Sequence, residues 1–213
     1  MVTVPDDVHT RVDGMKRDPR ILTQAAEQLI PKLDNPRHRA IVQNYRLHAL
    51  LEVSGRGQEI FTPEMTVDRP LYLLGGTQKV EGPEVPALYR SLVDTGTNVM
   101  ILEPETLIVG DWGFASEALF HTYMTGEAAA RRGHGDVDPA KKYVASSWIC
   151  MMWPYDDTAR MIGEHIYGGA VVDVRECPDD QFIDTAEVQS LYAPLIEQAR
   201  ADLMATRRQL RLA

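Results

Sequence analysis

The spacing of hydrophobic residues indicates two helices in the first quarter of the chain. Residues 19–33 carry apolar side chains three and four positions apart, the period of an amphipathic helix: Leu22, Ala25, Ala26, Leu29 and Leu33. A second helix begins at Asn35-Pro36, where a capping side chain precedes a first-turn proline, and runs to about Val53. The preceding residues, 1–18, are polar and predict an extended N-terminal arm.

Extended segments follow in two groups that a helix separates. The first group is a pair joined at Gly75-Gly76, with strands at 65–74 and 77–82. The separating helix runs from Pro83 to Leu92. The second group contains four long strands: 98–109, 113–124 and the two arms of a hairpin within 143–169.

The remaining segments predict connections and one terminal helix. Residues 126–142 indicate a surface loop, and residues 170–183 a second connection. The last helix covers 184–210 and contains Pro194, which predicts a kink. Helices, two strands, one helix and four strands in this order predict an α+β fold, in which helices cover one face of a strongly curved antiparallel sheet. We expect a single domain over 19–213, with its core at 36–170.

Composition and charge exclude several classes of function. The chain has 213 residues and a formal charge of −9, which argues against a nucleic-acid partner because phosphate binding needs a basic surface. No apolar run reaches the roughly 18 residues of a membrane helix, and the N-terminus lacks the apolar core of a secretion signal, so we expect a cytoplasmic protein without membrane contact.

The cysteines and short motifs give no support for a metal or a cofactor. Cys150 lies in an apolar strand, which predicts a buried thiol, and Cys177 is far from it in sequence. The histidines lack the paired spacing of a zinc site, and no glycine-rich nucleotide motif is present. We therefore expect neither a metal nor an organic cofactor.

Three stretches carry a resemblance to a known family. They are IVQNYRLHALLEVSGRGQEIFTPEMTVDRP at 41–70, LFHTYMTG at 119–126 and DDTARMIGEHIYGG at 156–169. Together with the order of the elements, they resemble the nuclear transport factor 2-like superfamily, most closely its SnoaL-like polyketide cyclases and ketosteroid isomerase relatives. The resemblance covers about 36–170 and implies a cone-shaped α+β barrel around a pocket, with additional helices at both ends.

The resemblance implies site residues on the long helix and the first strand. Tyr45 corresponds to an oxyanion-hole tyrosine, and His48 lies one helical turn further on the same side. The catalytic aspartate of the isomerases precedes the proline directly, where this chain has Arg69, and Asp68 comes one residue earlier. Arg69 then faces the pocket and binds a carboxylate or orients an acid, and Asp68 is kept as a catalytic candidate. The two can instead be a surface pair. Tyr72 is a further substrate-binding candidate.

Later strands supply the proton-transferring candidates. His121 corresponds to the histidine of the cyclase motif, and an imidazole can accept and donate protons near neutral pH. On the last strand we expect His165 and Tyr167 to face inward, and we interpret Glu164 as structural. Trp148 is expected to line the pocket as an apolar substrate contact. Each histidine can instead be a structural, hydrogen-bonded core residue.

These residues predict a cofactor-independent lyase, isomerase or cyclase for a small apolar oxygenated molecule of the polyketide, steroid or terpenoid type. Hydrolysis of an epoxide in the same pocket is an alternative, and so is a non-catalytic module for ligand binding or assembly. An open cavity of a few hundred Å³ in which the side chains of His121 and His165 converge favours an enzyme, whereas a filled interior favours a module. We also expect a homodimer formed through the open face of the sheet.

Overall fold

Residues 17–210, which the computed structural model describes, contain five α-helices and six β-strands. The helices are α1 (Gln24–Leu29), α2 (Pro36–Val53), α3 (Val85–Asp94), α4 (Gly126–Arg131) and α5 (Thr185–Leu210). The strands are β1 (Thr66–Leu74), β2 (Gln78–Glu81), β3 (Met100–Gly110), β4 (Gly113–Thr125), β5 (Lys142–Pro154) and β6 (Met161–Glu176). The predicted N-terminal arm, 1–18, lies almost wholly outside the described residues.

The six strands form one curved, open sheet in the order β2-β1-β6-β5-β4-β3. Neighbouring strands are antiparallel except β1 and β6, which are parallel. The expected α+β class is confirmed, and the expected all-antiparallel sheet is wrong. The alternation of apolar residues locates strands, but the β1–β6 contact joins segments about 90 residues apart, whose relative direction local spacing does not encode.

Helix α2 lies between the sheet and α5, which explains why nearly all of its residues after the first turn are buried. Its start is confirmed as predicted: the Asn35 side chain accepts hydrogen bonds from the backbone N–H groups of Arg37 at 2.9 Å and His38 at 3.4 Å, and Pro36 occupies the first turn. One face of α2 contacts β3 and β4, and the opposite face contacts α5. Polar residues on the sheet-facing side are therefore enclosed.

Two predicted segments differ from the structure in their bounds. The segment at 19–33 is helical, but only Gln24–Leu29 is α-helix, with 3-10 turns on both sides. The predicted loop at 126–142 begins with α4, whose first turn is capped by the Thr125 hydroxyl. Helix α5, Thr185–Leu210, agrees with the predicted 184–210 to within one residue and contains Pro194.

The last strand is longer than the sequence predicts. β6 continues to Glu176, past the glycine pair where the prediction ends it. Gly168 and Gly169 both have positive φ, 97° and 98°, a conformation that favours glycine, and the pairing with β5 shifts register beside them. The two glycines therefore bend the strand without ending it.

The sheet face opposite the helices exposes several apolar side chains. Ile108 is 69% exposed, and Met152 and Tyr167 are also exposed. Cys150 lies on this face and is exposed, so the predicted buried thiol is wrong at this position, whereas Cys177 is buried. Cys150 pairs with Glu117 and Tyr167 on the neighbouring strands, and both of these residues are exposed as well.

Among the described residues, no helix combines the length and the hydropathy that crossing a membrane requires.

Candidate functional site

A cavity of about 350 Å³ lies between the inner face of the sheet and helices α2 and α3. This volume is within the usual range for small-molecule sites. Most of the lining residues are apolar. Five of the six strands and the two helices contribute to the lining. The strand residues include Tyr72, Leu74, Met100, Leu102, Phe120, Ile149, Met151, Trp153 and Ile166. The interior is thus open, as we expect for an enzyme, but the two histidines that were expected to converge in it, His121 and His165, are not among its lining residues.

Helix α2 contributes three polar residues to the cavity wall. Tyr45, His48 and Glu52 are three and four positions apart, so they lie on one side of the helix, and all three line the cavity. The His48 side chain is fully buried, and its Nε2 lies 3.4 Å from Glu52 Oε2, one turn further along. The helix therefore presents an imidazole and a carboxyl group as a pair.

Strand pairing brings a second carboxyl group to the same place. Glu164 of β6 lies beside Tyr72 of β1 in the parallel ladder, and both face the cavity. Glu164 is only 6% exposed. Ile166, two residues further along, lines the same cavity, which establishes the inward face of β6.

The hydroxyl of Tyr89 joins these groups into one cluster. This oxygen lies 2.7 Å from the Tyr72 hydroxyl and 2.9 Å from His48 Nε2, and it donates a hydrogen bond to Glu164 Oε2 at 3.4 Å. Tyr89 comes from α3, so helices α2 and α3 and strands β1 and β6 each supply at least one member. We call Glu164, Tyr89, Tyr72, His48 and Glu52 the acid cluster.

The surroundings of Glu164 favour its protonated form. Burial raises its pKa well above the ordinary value of a glutamate, and the nearby Glu52 carboxylate raises it further. The hydrogen bond from Tyr89 acts in the opposite direction and is the smallest of the three effects. The surroundings therefore favour the form of Glu164 that can donate a proton inside the cavity.

A second polar pair lies where α2 meets β3. The Tyr45 hydroxyl donates a hydrogen bond to Glu105 Oε1, which also accepts one from Ser116 Oγ at 2.8 Å. Burial raises the pKa of Glu105 to about 7, although both hydrogen bonds lower it. Burial, and next the Glu105 charge, also raise the pKa of Tyr45 well above that of a free phenol, so Tyr45 remains a hydrogen-bond donor.

Two buried nitrogen atoms of cavity-lining residues have no hydrogen-bond partner among the described residues. They are Nδ1 of His48 and Nε1 of Trp153. Buried polar atoms are rarely unpaired, because leaving one without a partner costs about 1–3 kcal/mol. The imidazole can accept a proton at Nδ1, and the indole N–H can donate a hydrogen bond, to a polar group of a bound molecule.

Of the residues that the sequence nominates, the structure brings Tyr45, His48 and Tyr72 to the cavity. His121 lies elsewhere. It is 1% exposed on the opposite face of β4, where Nδ1 is 2.9 Å from Ser146 Oγ and Nε2 is 3.2 Å from the backbone oxygen of Glu103. Burial lowers its pKa to about 4, and the charge of Arg17 adds to the effect. This geometry is that of a neutral, hydrogen-bonded core histidine.

The expected inward orientation of His165 and Tyr167 is wrong, and so is that of Trp148. Glu164 and Ile166 line the cavity, so by strand alternation His165 and Tyr167 point to the outer face. Trp148 alternates with Ile149, which lines the cavity, and therefore lies on that outer face as well. Consecutive strand residues alternate between faces, and the β1–β6 pairing decides which set is inside.

Asp68 and Arg69 also lie outside the main cavity. Both are exposed, and both line a separate surface groove of about 240 Å³ with Pro63, Pro70 and Pro83. The β1–β6 register shifts between Thr66 and Leu71. The irregular segment moves Asp68 and Arg69 out of the regular alternation that placed Arg69 inward, and the expectation that Arg69 faces the cavity is corrected.

Sequence reasoning did not nominate Tyr89, Glu52, Glu105 or Arg132, all of which belong to the cavity or its immediate surroundings. Tyr89 follows Val85 and Leu88 at helical spacing, a pattern that ordinary core packing shares. Glu52 lies four residues after His48 and seven after Tyr45. This helical spacing is the one signal in the sequence that indicates a further polar residue on the same side of α2.

No group of three or more histidine, cysteine, aspartate or glutamate side chains suited to a metal ion is found within residues 17–210. Comparison with models of known protein families and with curated proteins finds no match.

Proposed function

We propose that this chain is a cofactor-independent lyase, isomerase or cyclase, acting by general acid–base chemistry on a small, mostly apolar, oxygenated molecule of the polyketide, steroid or terpenoid type. The observation that carries this proposal is the acid cluster, in which the Tyr89 hydroxyl lies within hydrogen-bond distance of both Glu164 and His48 in the wall of an apolar cavity. Paired acid and base groups in a dry pocket suit proton transfer at a carbon beside a carbonyl group.

In the proposed reaction, Glu164 is the acid. Its proton passes to the carbonyl oxygen of the substrate, where negative charge develops. Raised pKa values of buried carboxyl groups allow such donation at neutral pH. Tyr89, which donates a hydrogen bond to Glu164 Oε2, stabilises the carboxylate that remains after the proton has left.

His48 is the base of the proposed reaction. Its Nε2 side is occupied by Tyr89 and Glu52, which leaves the unpaired Nδ1 to accept a proton. The C–H bond beside the carbonyl breaks, its electron pair forms the C=C bond of an enol, and the proton moves to Nδ1. The enol O–H proton then returns to Glu164 as the C=O bond re-forms, and the proton held by His48 completes one of three outcomes. It moves to a different carbon to give an isomer, to the oxygen of a second carbonyl that the enol carbon attacks to give a ring, or to a neighbouring hydroxyl that leaves as water to give a lyase product.

We also propose membership of the nuclear transport factor 2-like superfamily, with its cone-shaped barrel. The α+β class, the curved sheet with helices on its inner side and the element order support this proposal. The homodimer expected from the sequence likewise remains a proposal, and the exposed apolar residues of the outer sheet face support it.

Proton exchange tests the proposed chemistry whichever product the reaction forms. Small apolar ketones are incubated with the protein in deuterium oxide, and NMR follows the loss of the protons beside the carbonyl. We expect the wild type to accelerate exchange in at least one ketone, and Glu164→Gln and His48→Gln each to slow it by roughly 10²-fold or more. His165→Gln, on the outer face, should retain the wild-type rate. Binding of ketones without exchange would contradict an enzyme of this class and favour the non-catalytic alternative.

A further inference from the structure

One arginine lies at the mouth of the cavity. Arg132 follows α4 directly and lines the cavity with Ser91 and Thr97. Its Nη2 donates a hydrogen bond to Thr97 Oγ1 at 3.1 Å. The residue is exposed overall, but partial burial lowers the pKa of its guanidinium, and no nearby acid contributes to that change.

The guanidinium of Arg132 therefore keeps most of its hydrogen-bonding capacity. A guanidinium has five N–H donors, and the bond to Thr97 uses one of them. Within residues 17–210, no carboxylate forms an ion pair with Arg132. The neighbouring Arg131, in contrast, lies 3.9 Å from Glu127 Oε2 and does not line the cavity.

Strand register places Arg132 and Glu164 toward opposite ends of the cavity. Thr97 precedes Met100, which pairs with Thr122 on β4. At the other end, Ser116 of β4 pairs with Met151, which pairs with Ile166, close to Glu164. Ser116 and Thr122 are six residues apart along β4, which separates the two ends on the strand side. On the helical side the separation is shorter, because Thr97 Oγ1 lies 3.5 Å from the backbone oxygen of Leu92, one helical turn after Tyr89 on α3.

Apolar side chains fill the wall between the two ends. They are Leu74, Leu102, Phe120, Ile149, Met151 and Ile166. The cavity thus has a cationic mouth, an apolar middle and a proton-donating interior, and a complementary molecule has the corresponding three parts.

We infer that the cavity binds an elongated, mostly apolar carboxylate whose anionic end pairs with Arg132 and whose oxygenated, reacting end reaches the acid cluster. This inference rests on the proposed function for the role of the inner end, but the anion contact is a binding property that can be measured separately. A planar guanidinium pairs with a carboxylate through two parallel hydrogen bonds. One arginine and neutral hydroxyl groups suit a single negative charge better than a phosphate dianion, and the same arginine repels a cationic ligand.

Matched ten-carbon probes test the anion contact: decanoate, 1-decanol and decyltrimethylammonium. Binding at submicellar concentrations is measured by calorimetry with the full chain. We expect decanoate to bind the wild type most tightly, and Arg132→Gln to weaken decanoate binding about ten- to hundredfold while leaving 1-decanol unchanged. Arg131→Gln is the control and should bind all three probes as the wild type does.

Arg132→Lys and Thr97→Val refine the test. Lysine keeps the charge but not the paired geometry, so decanoate affinity should fall between those of the wild type and the glutamine variant. Thr97→Val removes the bond that positions the guanidinium and should weaken decanoate binding more than 1-decanol binding.

Equal affinities of the wild type and Arg132→Gln for decanoate would overturn the inference, as would equally tight binding of decanoate and 1-decanol to the wild type, or no binding of decanoate at all. Failure of the proposed function gives a different result, namely Arg132-dependent decanoate binding without proton exchange in any ketone.

Discussion

The hydroxyl of Tyr89 lies 2.9 Å from His48 Nε2 and donates to Glu164 Oε2 at 3.4 Å, so one phenol joins the proposed base to the proposed acid. Tyr89→Phe removes the hydroxyl group that connects the base to the acid and leaves both His48 and Glu164 in place. Because the hydrogen bond from Tyr89 lowers the pKa of Glu164, its removal should raise that pKa further, and it deprives His48 and Tyr72 of their shortest hydrogen bonds, at 2.9 and 2.7 Å. We expect proton exchange to slow by roughly 10- to 100-fold and the free energy of unfolding to fall by about 1–3 kcal/mol.

Tyr72→Phe is the matched control for that variant. The Tyr72 hydroxyl bonds to Tyr89 at 2.7 Å and to Met161 Sδ at 3.7 Å, rather than to Glu164. Its loss should reduce stability to a similar extent with a smaller effect on exchange. Equal exchange rates in both variants and the wild type would show that Tyr89 has no part in the chemistry.

Glu105 should make stability decrease with rising pH. Its folded pKa is about 7, above the ordinary 4.5 that it regains on unfolding, so between these values the folded state binds more protons than the unfolded state. This difference lowers the free energy of unfolding by at most about 1.4 kcal/mol per pH unit as pH rises. Glu105→Gln should remove this contribution, which urea unfolding of both proteins at a series of pH values between about 4.5 and 7 would measure. Parallel stability curves would contradict the assignment.

His121 should act on stability with the opposite sign and have little effect on activity. Its folded pKa of about 4 is below its ordinary 6.5, so within this window the unfolded state binds more protons, and stability is lost as pH falls from about 6.5 to about 4. His121→Gln should lose about 1–3 kcal/mol at neutral pH through its broken hydrogen bonds to Ser146 and Glu103, with a shallower acid decline. Proton exchange per folded molecule should be unchanged, and a large loss of exchange with intact folding would restore His121 as a catalytic candidate.

The outer sheet face tests the expected homodimer. Met152 is 38% exposed at the centre of this face, paired with His165 of β6 and Ala115 of β4. Two copies that bury this face against each other would bring the same residues together, as two-fold interfaces do. Sedimentation velocity should show a dimer for the wild type at micromolar concentration and a monomer for Met152→Glu. Val93→Glu, which adds the same charge at an exposed apolar residue of α3, is the control and should remain dimeric. A monomeric wild type would contradict the dimer.

The sequence was sufficient to predict most elements because their signals are local. The Asn35 cap with Pro36, the period of α2 and the glycine turn between β1 and β2 each depend on neighbouring residues. The direction of β1 against β6 depends on a distant pairing, which explains why the sheet was expected to be antiparallel throughout.

The candidate site was predicted only in part, for a related reason. Tyr45 and His48 lie on the same side of a helix, and their spacing of three residues is enough to predict this from the sequence. On β6, alternation separates Glu164 from His165 but does not determine which of them faces inward, and hydrophobicity does not decide it because both faces of β5 are apolar. Tyr89 and Arg132 reach the cavity from α3 and from the end of α4, and tertiary packing alone brings them there.

All of the proposed chemistry requires that Glu164 carry a proton at neutral pH while it faces the cavity. Infrared difference spectroscopy of the wild type against Glu164→Gln, with isotopically labelled glutamate, measures this directly. We expect a protonated carboxyl stretch at neutral pH that the variant lacks and that shifts when a ketone ligand binds. A spectrum with only ionised-carboxylate bands from Glu164 at neutral pH would contradict its role as the acid.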